Sequence, residues 1–365
     1  MKNNNVKNIY KLAELFCGPG GLGLGATLSS VVDNKGNEYS IKSVWANDID
    51  ENMCKTYARN LHNGKRDNVV CGPIEKIDLE KIPSFDGLAF GFPCNDFSVV
   101  GEQKGFNGKY GPLYTYGVNA IKIHNPKWFL AENVNGLQSA NNGEAFKKIL
   151  DDLKNVGQGY TLTVNLYKFE EYGVPQTRHR IVIVGIRNDL GLKFKVPAPT
   201  TKNKYVTVKE AFENPPITPD LPNNEITRQS AEVIERLKFI PPGENAWYSG
   251  IPAHLQLNVK KTRMSQIYKR LHPDKPSYTI TGSGGGGTHG YHWSENRALT
   301  NRERARIQTF PDNFVFEGSK ESVRKQIGMA VPPKGAQIIV TAILKTLAGI
   351  PYESVNPTVI ESIKV

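Results

Sequence analysis

The chain has 365 residues and a mass of 40.5 kDa, which at roughly 100–200 residues per domain suggests about two domains. Hydrophobic residues make up 39%, enough for a true core, so wholesale disorder is excluded. Forty-six Lys and Arg against 35 Asp and Glu leave a net charge of +11 and a pI near 9.3, fitting either a basic soluble enzyme or a protein with a polyanionic partner such as nucleic acid.

The opening MKNNNVKNIYK has no apolar core of the kind a secretory signal needs. Residues 11–16 form a short apolar run that predicts a strand, ends in a glycine-rich turn and gives way to a helix over 22–30. A strand at 43–47 and a helix at 51–61 follow, then strands at 85–91 and 128–131, a helix over 143–156 and a strand at 181–186. Strands alternating with helices argue for a mostly parallel sheet covered on both faces. The rhythm stops near Asn188. From there to about Asn296 proline and polar loops dominate (VPAPT at 196–200, ENPPITPDLP at 213–222, GSGGGG at 282–287), and helical periodicity persists only at 229–239. This shift marks a domain boundary. The greasiest stretch, 336–350, is short for a bilayer and carries Lys345. Cys17, Cys54, Cys71 and Cys94 show neither a CxxC pair nor zinc spacing and fit reduced cytosolic thiols.

Charge is unevenly spread. Residues 195–310 hold 17 Lys and Arg against 10 Asp and Glu, so +7 of the total lies in the irregular region. Its densest part, 258–275, carries Lys260, Lys261, Arg263, Lys269, Arg270 and Lys275 against Asp274 alone. A solvated basic face is one reading. Tyr268, His272 and the glycine tract close by favour a surface that tracks phosphates.

Gly18-Pro19-Gly20-Gly21-Leu22-Gly23 fits GxGxxG after a strand and before a helix. Glycines there let the backbone turn tightly and approach a ligand at the helix N-terminus. Asp48 and Asp50 follow the second strand, where a carboxylate can accept from ribose hydroxyls. On these residues alone a dinucleotide and S-adenosylmethionine fit equally.

Further blocks decide. Gly91-Phe92-Pro93-Cys94-Asn95-Asp96-Phe97-Ser98 follows a strand, then come Ala131-Glu132-Asn133-Val134 and Gln176-Thr177-Arg178-His179-Arg180. Arg297-Ala298-Leu299-Thr300 through Arg306, Gln308 and Phe310-Pro311 form the next, and Gln326-Ile327-Gly328 through Val331-Pro332 the last. With the Phe16-Cys17-Gly18-Pro19-Gly20-Gly21 block, the ordered set resembles the DNA (cytosine-5)-methyltransferases, of the type found in restriction-modification systems, from about Leu12 to Gly349.

The resemblance implies an α/β, Rossmann-like S-adenosylmethionine-dependent methyltransferase fold with a second, smaller target-recognition domain. The expected division is 1–188 plus 320–365 for catalysis and cofactor, 189–300 for target recognition, and 301–319 as a connecting segment. It also implies a chemistry. C5 of cytosine is a poor nucleophile until a thiolate adds at C6, and Cys94 is the expected nucleophile. Glu132 would donate to N3, Arg180 would contact O2 as charge develops there, Arg178 would support it, and Asn133 would orient the glutamate loop. The C5 proton would leave to water.

The implied methyl donor is S-adenosylmethionine, leaving as S-adenosylhomocysteine. Phe16 would pack on the adenine, the turn of Gly18, Gly20 and Gly21 would approach the cofactor, Asp48 would take the ribose hydroxyls, and Ile49, Ile74, Pro93 and Leu113 would line the pocket. Two positions depart from the family pattern: Pro73 stands where an acid often reads the adenine amino group, and Met329-Ala330 replaces a polar pair. The implied partner is duplex DNA, its target base flipped from the stack. Ser98 and Gln103 fall in the loop expected to close over that base, while Lys260, Lys261, Arg263, Arg270, Gly284 and Arg297 are expected DNA contacts. A cytoplasmic monomer, nucleoid-associated when acting on DNA, is expected, with no metal, no membrane association and a cognate restriction endonuclease acting separately. Alternatives are a tRNA-directed cytosine-5 relative, a catalytically silent DNA-binding regulator and, leaving the Pro-Cys block unexplained, a NAD-dependent oxidoreductase.

Overall fold

β1 (Lys7–Leu15) lies between parallel neighbours on both sides, β3 (Glu38–Asp48) and β5 (Gly87–Phe90), and so at the centre of an eight-stranded sheet. The computed structural model describes residues 6–92, 113–258, 265–282 and 289–359. The remaining strands are β2 (Ser30–Val32), β4 (Val69–Cys71), β6 (Trp128–Val134), β7 (Tyr160–Lys168) and β8 (His179–Arg187). Their order is β2-β3-β1-β5-β6-β8-β7, with β4 pairing parallel to the end of β3. β5 and β6 are parallel, β2 is antiparallel to β3, and β8 is antiparallel between β6 and β7. Helices α1 (Gly21–Thr27), α2 (Glu51–Leu61), α3 (Tyr114–His124) and α4 (Glu144–Asn155) alternate with the strands. This is the expected α/β, Rossmann-like arrangement. β5 is buried along its whole length, as a central parallel strand covered on both faces should be.

The expected strands at 11–16, 43–47, 85–91, 128–131 and 181–186 coincide with β1, β3, β5, β6 and β8. The last runs antiparallel. β7 and α3 are additions. In β7 the polar Thr163 and Asn165 face inward because each has a partner: Thr163 Oγ1 donates to the Phe194 carbonyl, and Asn165 Oδ1 accepts from the Thr358 N–H.

Two compact units divide the chain. The first comprises Met1–Phe169, His179–Pro199 and Pro333–Val365, the second Glu170–Arg178 and Thr200–Pro332. In the first unit, β9 (Val196–Pro197) pairs with β10 (Ser354–Val355). The second unit contains α5 (Val208–Glu213), α6 (Ala231–Lys238), α7 (Asn301–Ile307) and α8 (Lys320–Met329), with only isolated bridges between extended segments among its described residues.

α9 (Pro333–Leu347) returns to the first unit and covers α1, whose residues 21–26 are all buried. The approach is close: a Cβ on Gly25 would lie 2.3 Å from the Pro333 carbonyl oxygen, so only glycine fits. Ser29 Oγ donates to the Gln337 carbonyl, and Gln337 Nε2 returns a bond to that of Leu28. The stretch Lys320–Leu347 is long and apolar enough to cross a membrane by composition, but 67% of its most apolar window is buried in the protein.

The second unit's interior shows how a loop-rich region satisfies its backbone. Two small apolar clusters form, one around Val208, Phe212, Leu271 and Ile307, the other around Leu237, Ile251, Leu255 and Tyr291. Buried carbonyls without a regular ladder still need donors. Arginines supply them: Arg302, fully buried, donates to the carbonyls of Pro222, Pro311 and Phe314.

Candidate active site

The sheet order reverses direction at β1, so the crevice beyond its C-terminal end is where an open α/β sheet binds ligands. The turn leaving β1 is built for that place. Phe16 (φ 54°), Gly18 (φ 54°) and Gly20 (φ 100°) all adopt left-handed backbone. For a bulky phenylalanine that conformation is strained, and such strain concentrates at ligand sites. At Gly20 a side chain would also strike Leu61 and Tyr57 at 2.9 Å.

Asp48, at the end of β3, fixes the turn. Its carboxylate accepts from the Gly18 N–H at 2.8 Å and the Asp50 N–H at 3.0 Å, while burial raises its pKa from the ordinary aspartate value. Asn47 ties the neighbouring strand in place by donating to the carbonyls of Val70 and Gly72. Beside these polar groups Ile49 is 71% exposed, a large apolar side chain left open at the sheet edge. Ile74 and Leu113 are buried in the adjoining core, and Phe16 packs partly against it.

Beneath the turn lies a network that the sequence reading missed. Glu14, almost wholly buried in β1, accepts from Tyr57 Oη at 3.0 Å and from the Gly23 N–H. Tyr57 in turn bonds Ser43, which bonds His62. Burial pushes the Glu14 pKa up to about 8, so the carboxyl is mostly protonated at neutral pH. An acid inside an apolar strand, just ahead of a glycine turn, is the signal that could have found it.

The chemical side of the site stands on β5, β6 and β8. β5 ends at Phe90, and Gly91-Phe92 lead toward Pro93 and Cys94. Asn133 Nδ2 donates to the Phe92 carbonyl at 3.1 Å, so β6 holds the exit of β5. Glu132 pairs with Arg180, Oε1 to Nε 2.9 Å, and both side chains are about 15% exposed or less. Arg180 also donates to the His179 carbonyl. Antiparallel pairing explains the meeting: Glu132 stands opposite Val182, two residues from Arg180 and on the same face. Pro93, Cys94, Ser98 and Gln103 lie outside the described residues. The described cysteines are poor nucleophiles, because burial raises the pKa of Cys17, Cys54 and Cys71 alike.

Three arginines expected at the site have their guanidiniums engaged within the second unit. Arg178 is buried in the second unit, its guanidinium donating to the carbonyls of Ile280 and Gly328, so it braces that unit's backbone. Arg270 is 5% exposed and donates to the carbonyls of His292, Leu237, Ile240 and Glu295 and to Asn296 Oδ1. A guanidinium with every donor engaged has none left for DNA. Arg297 is likewise bound between Glu295 and Glu303. Lys260, Lys261, Arg263 and Gly284 lie outside the described residues. The departure at Pro73 stands beside an exposed Glu75 on the Ile74–Lys76 turn.

A model of the family of C-5 cytosine-specific DNA methylases matches residues 10–345. Type II methyltransferase M.BbvI from Brevibacillus brevis is 58% identical over 353 residues, covering 95% of this chain and 94% of the relative. Type II methyltransferase M.NgoFVII from Neisseria gonorrhoeae is 40% identical over 362 residues, covering 97% and 91%. The fold is similar to that of Entamoeba histolytica methyltransferase EhMeth, with a TM-score of 0.57 and 18% identity over 94% of this chain and 98% of that one. It is also similar to a DNA modification methyltransferase encoded within an E. coli prophage, with a TM-score of 0.69 and 22% identity over 93% and 99%. With a family model spanning most of its length and a relative more than half identical along nearly the whole of both chains, this chain belongs to the C-5 cytosine-specific DNA methylases.

Proposed function

We propose that the protein methylates C5 of a cytosine flipped from a short, specific duplex DNA sequence, through a covalent adduct of Cys94 with C6. The observation that carries this reading is the Glu132–Arg180 pair, set at the same sheet edge as the strained glycine turn and beside the exit of β5 that leads to Cys94.

The crevice fits S-adenosylmethionine. Gly18 and Gly20 bring the backbone close, Asp48 presents a carboxylate, and exposed Ile49 with half-buried Phe16 offers apolar surface for an adenine. Bound there, S-adenosylmethionine supplies the methyl group that C5 receives.

The residues of this chain prepare the base. The Cys94 thiolate forms a bond to C6, and the ring's electron pair moves toward N3 and O2. Glu132 holds a proton at N3, and Arg180 donates to O2 as charge builds there. After C5 is methylated, water takes the C5 proton, the C5–H electrons re-form the C5–C6 double bond and the Cys94–C6 bond breaks, restoring the aromatic ring and the thiolate. The second unit selects the sequence, and a separate endonuclease cuts the same sequence when it is unmethylated. The site of action is the cytoplasm, on the nucleoid.

The test is trapping. A duplex pool carrying 5-fluorocytosine in random contexts, incubated with the protein and S-adenosylmethionine, should yield a covalent adduct because fluorine cannot leave as the proton does. No adduct with wild type, or undiminished adduct with Cys94→Ala, overturns the mechanism.

A further inference from the structure

The second unit carries an open cavity of about 600 Å³ lined by Arg304, Arg324, Lys269, Lys275, His272 and His289 among others, with no Asp or Glu among the described lining residues. Arg304 is the unusual member. It is 5% exposed, its Nη2 donates only to the backbone carbonyls of His289 and Gly290, and its Nε has no hydrogen-bond partner among the described residues. The neighbouring Glu303 is already engaged by Arg297 and by the Thr300 N–H. A buried cation facing only neutral partners is costly unless an anion joins it. Arg324 adds a like charge. Its contact with Glu321 is 3.8 Å from a carboxylate that is 83% exposed, too loose to neutralise it. Lys269 Nζ sits 5.1 Å above the Tyr278 ring at the same cavity.

The cavity's place in the unit is also telling. Ile267 and His289 pair in an antiparallel bridge beside the cavity, which Gln266 and His289 help to line. Thr281 and Gly282 cross α8 at Gly328, where a Cβ would come within 2.1 Å of the Gly282 nitrogen, and Lys325 backs that crossing.

We propose that this cavity seats one backbone phosphate of the bound duplex, held by Arg304 and Arg324 with Lys269 at its rim, and that the contact positions the DNA without reading a base. The inference rests on the DNA-methyltransferase reading above. A phosphodiester suits the site because its oxygens only accept hydrogen bonds and its charge answers two guanidiniums at once. A base edge would leave both charges uncompensated.

The experiment compares wild type with Arg324→Gln, Lys269→Gln, Arg304→Gln and Arg304→Lys in equilibrium binding to duplex DNA across a salt series. Each Gln variant should reduce the steepness of log K against log salt, by at most about one because a single phosphate is involved, and weaken binding roughly equally on matched and unmatched duplexes. Arg304→Lys should keep most of the slope, and bisulfite sequencing should show the same methylated sequence for every variant. Arg324 and Lys269 are partly exposed, so their variants report even if Arg304→Gln misfolds. An unchanged salt slope in Arg324→Gln, or a loss confined to the matched duplex, overturns the proposal. Failure of wild type to form the 5-fluorocytosine adduct is a separate result that overturns the function itself.

Discussion

Glu132 and Arg180 face each other at 2.9 Å from neighbouring antiparallel strands, and the pairing register alone brings them together. Because β8 runs opposite to β6, its first residues reach the edge at which β1, β3 and β5 end. An acid and a cation from segments nearly fifty residues apart are thus delivered to one place without a long loop.

That arrangement predicts a split between rate and stability. Arg180→Met should slow adduct formation in single-turnover trapping by about 10²- to 10³-fold, the usual cost of a lost oxyanion donor. Glu132→Gln should slow it too. Because both side chains retain some solvent contact, the unfolding free energy should fall only modestly, by on the order of 1 kcal/mol, read as a drop of a few degrees in the thermal midpoint. A rate unchanged in both variants would remove the pair from the chemistry.

Ile49 predicts a binding effect with no folding effect. A large apolar side chain that is 71% exposed contributes little to the free protein's core, so Ile49→Ser should leave the melting temperature nearly unchanged. It should weaken S-adenosylmethionine binding, measured by calorimetry, by about tenfold, the equivalent of part of one buried side chain. Equal affinity in wild type and variant would place the adenine elsewhere.

Glu14 predicts a pH dependence of stability. Its folded pKa, about 8, lies above the ordinary value of 4.5, so the folded state binds more protons than the unfolded state between those values. The stabilising protonation is complete below about pH 4.5 and is lost as pH rises through about 8, lowering stability by on the order of a few kcal/mol. Glu14→Gln keeps the shape and removes the charge. Denaturant titrations from pH 5 to 9 should therefore show a flatter profile and greater relative stability at high pH for the variant. Parallel curves would show that the carboxyl is ionised at neutral pH.

Arg270 predicts the reverse of what its charge suggested. Arg270→Met strips several buried carbonyls of their donor and should destabilise the protein by roughly 2–5 kcal/mol. Arg270→Lys, a compact charge unable to span those acceptors, should rescue little. A normal melting curve with weakened DNA binding would restore Arg270 to the DNA surface.

Sequence patterning carried the first unit well because its physics is periodic. Buried parallel strands such as β5 read as apolar runs, and the glycine turn announces itself by composition. β7 escaped because buried Thr163 and Asn165 are satisfied by long-range hydrogen bonds, to Phe194 and Thr358, that no local pattern displays. The proposed catalytic residues stand in motif blocks visible in the sequence, yet the partnership of Glu132 with Arg180 required the antiparallel register of β8. The second unit was least legible. Net charge there pointed outward to DNA, whereas Arg236, Arg270, Arg302 and Arg304 are all 5% exposed or less and bond backbone carbonyls. Formal charge counts side chains and is blind to which of them serve as internal donors in place of a sheet.

The packing of α9 on α1 has a consequence for synthesis. The helix opened by the glycine turn is complete in sequence by Thr27, but the surface that covers it arrives only with Pro333–Leu347. On the ribosome, every residue of the second unit is made before that cover exists. The growing chain therefore acquires its whole second unit while α1 still lacks its cover, and a chain cut short ahead of Pro333 should leave that helix exposed.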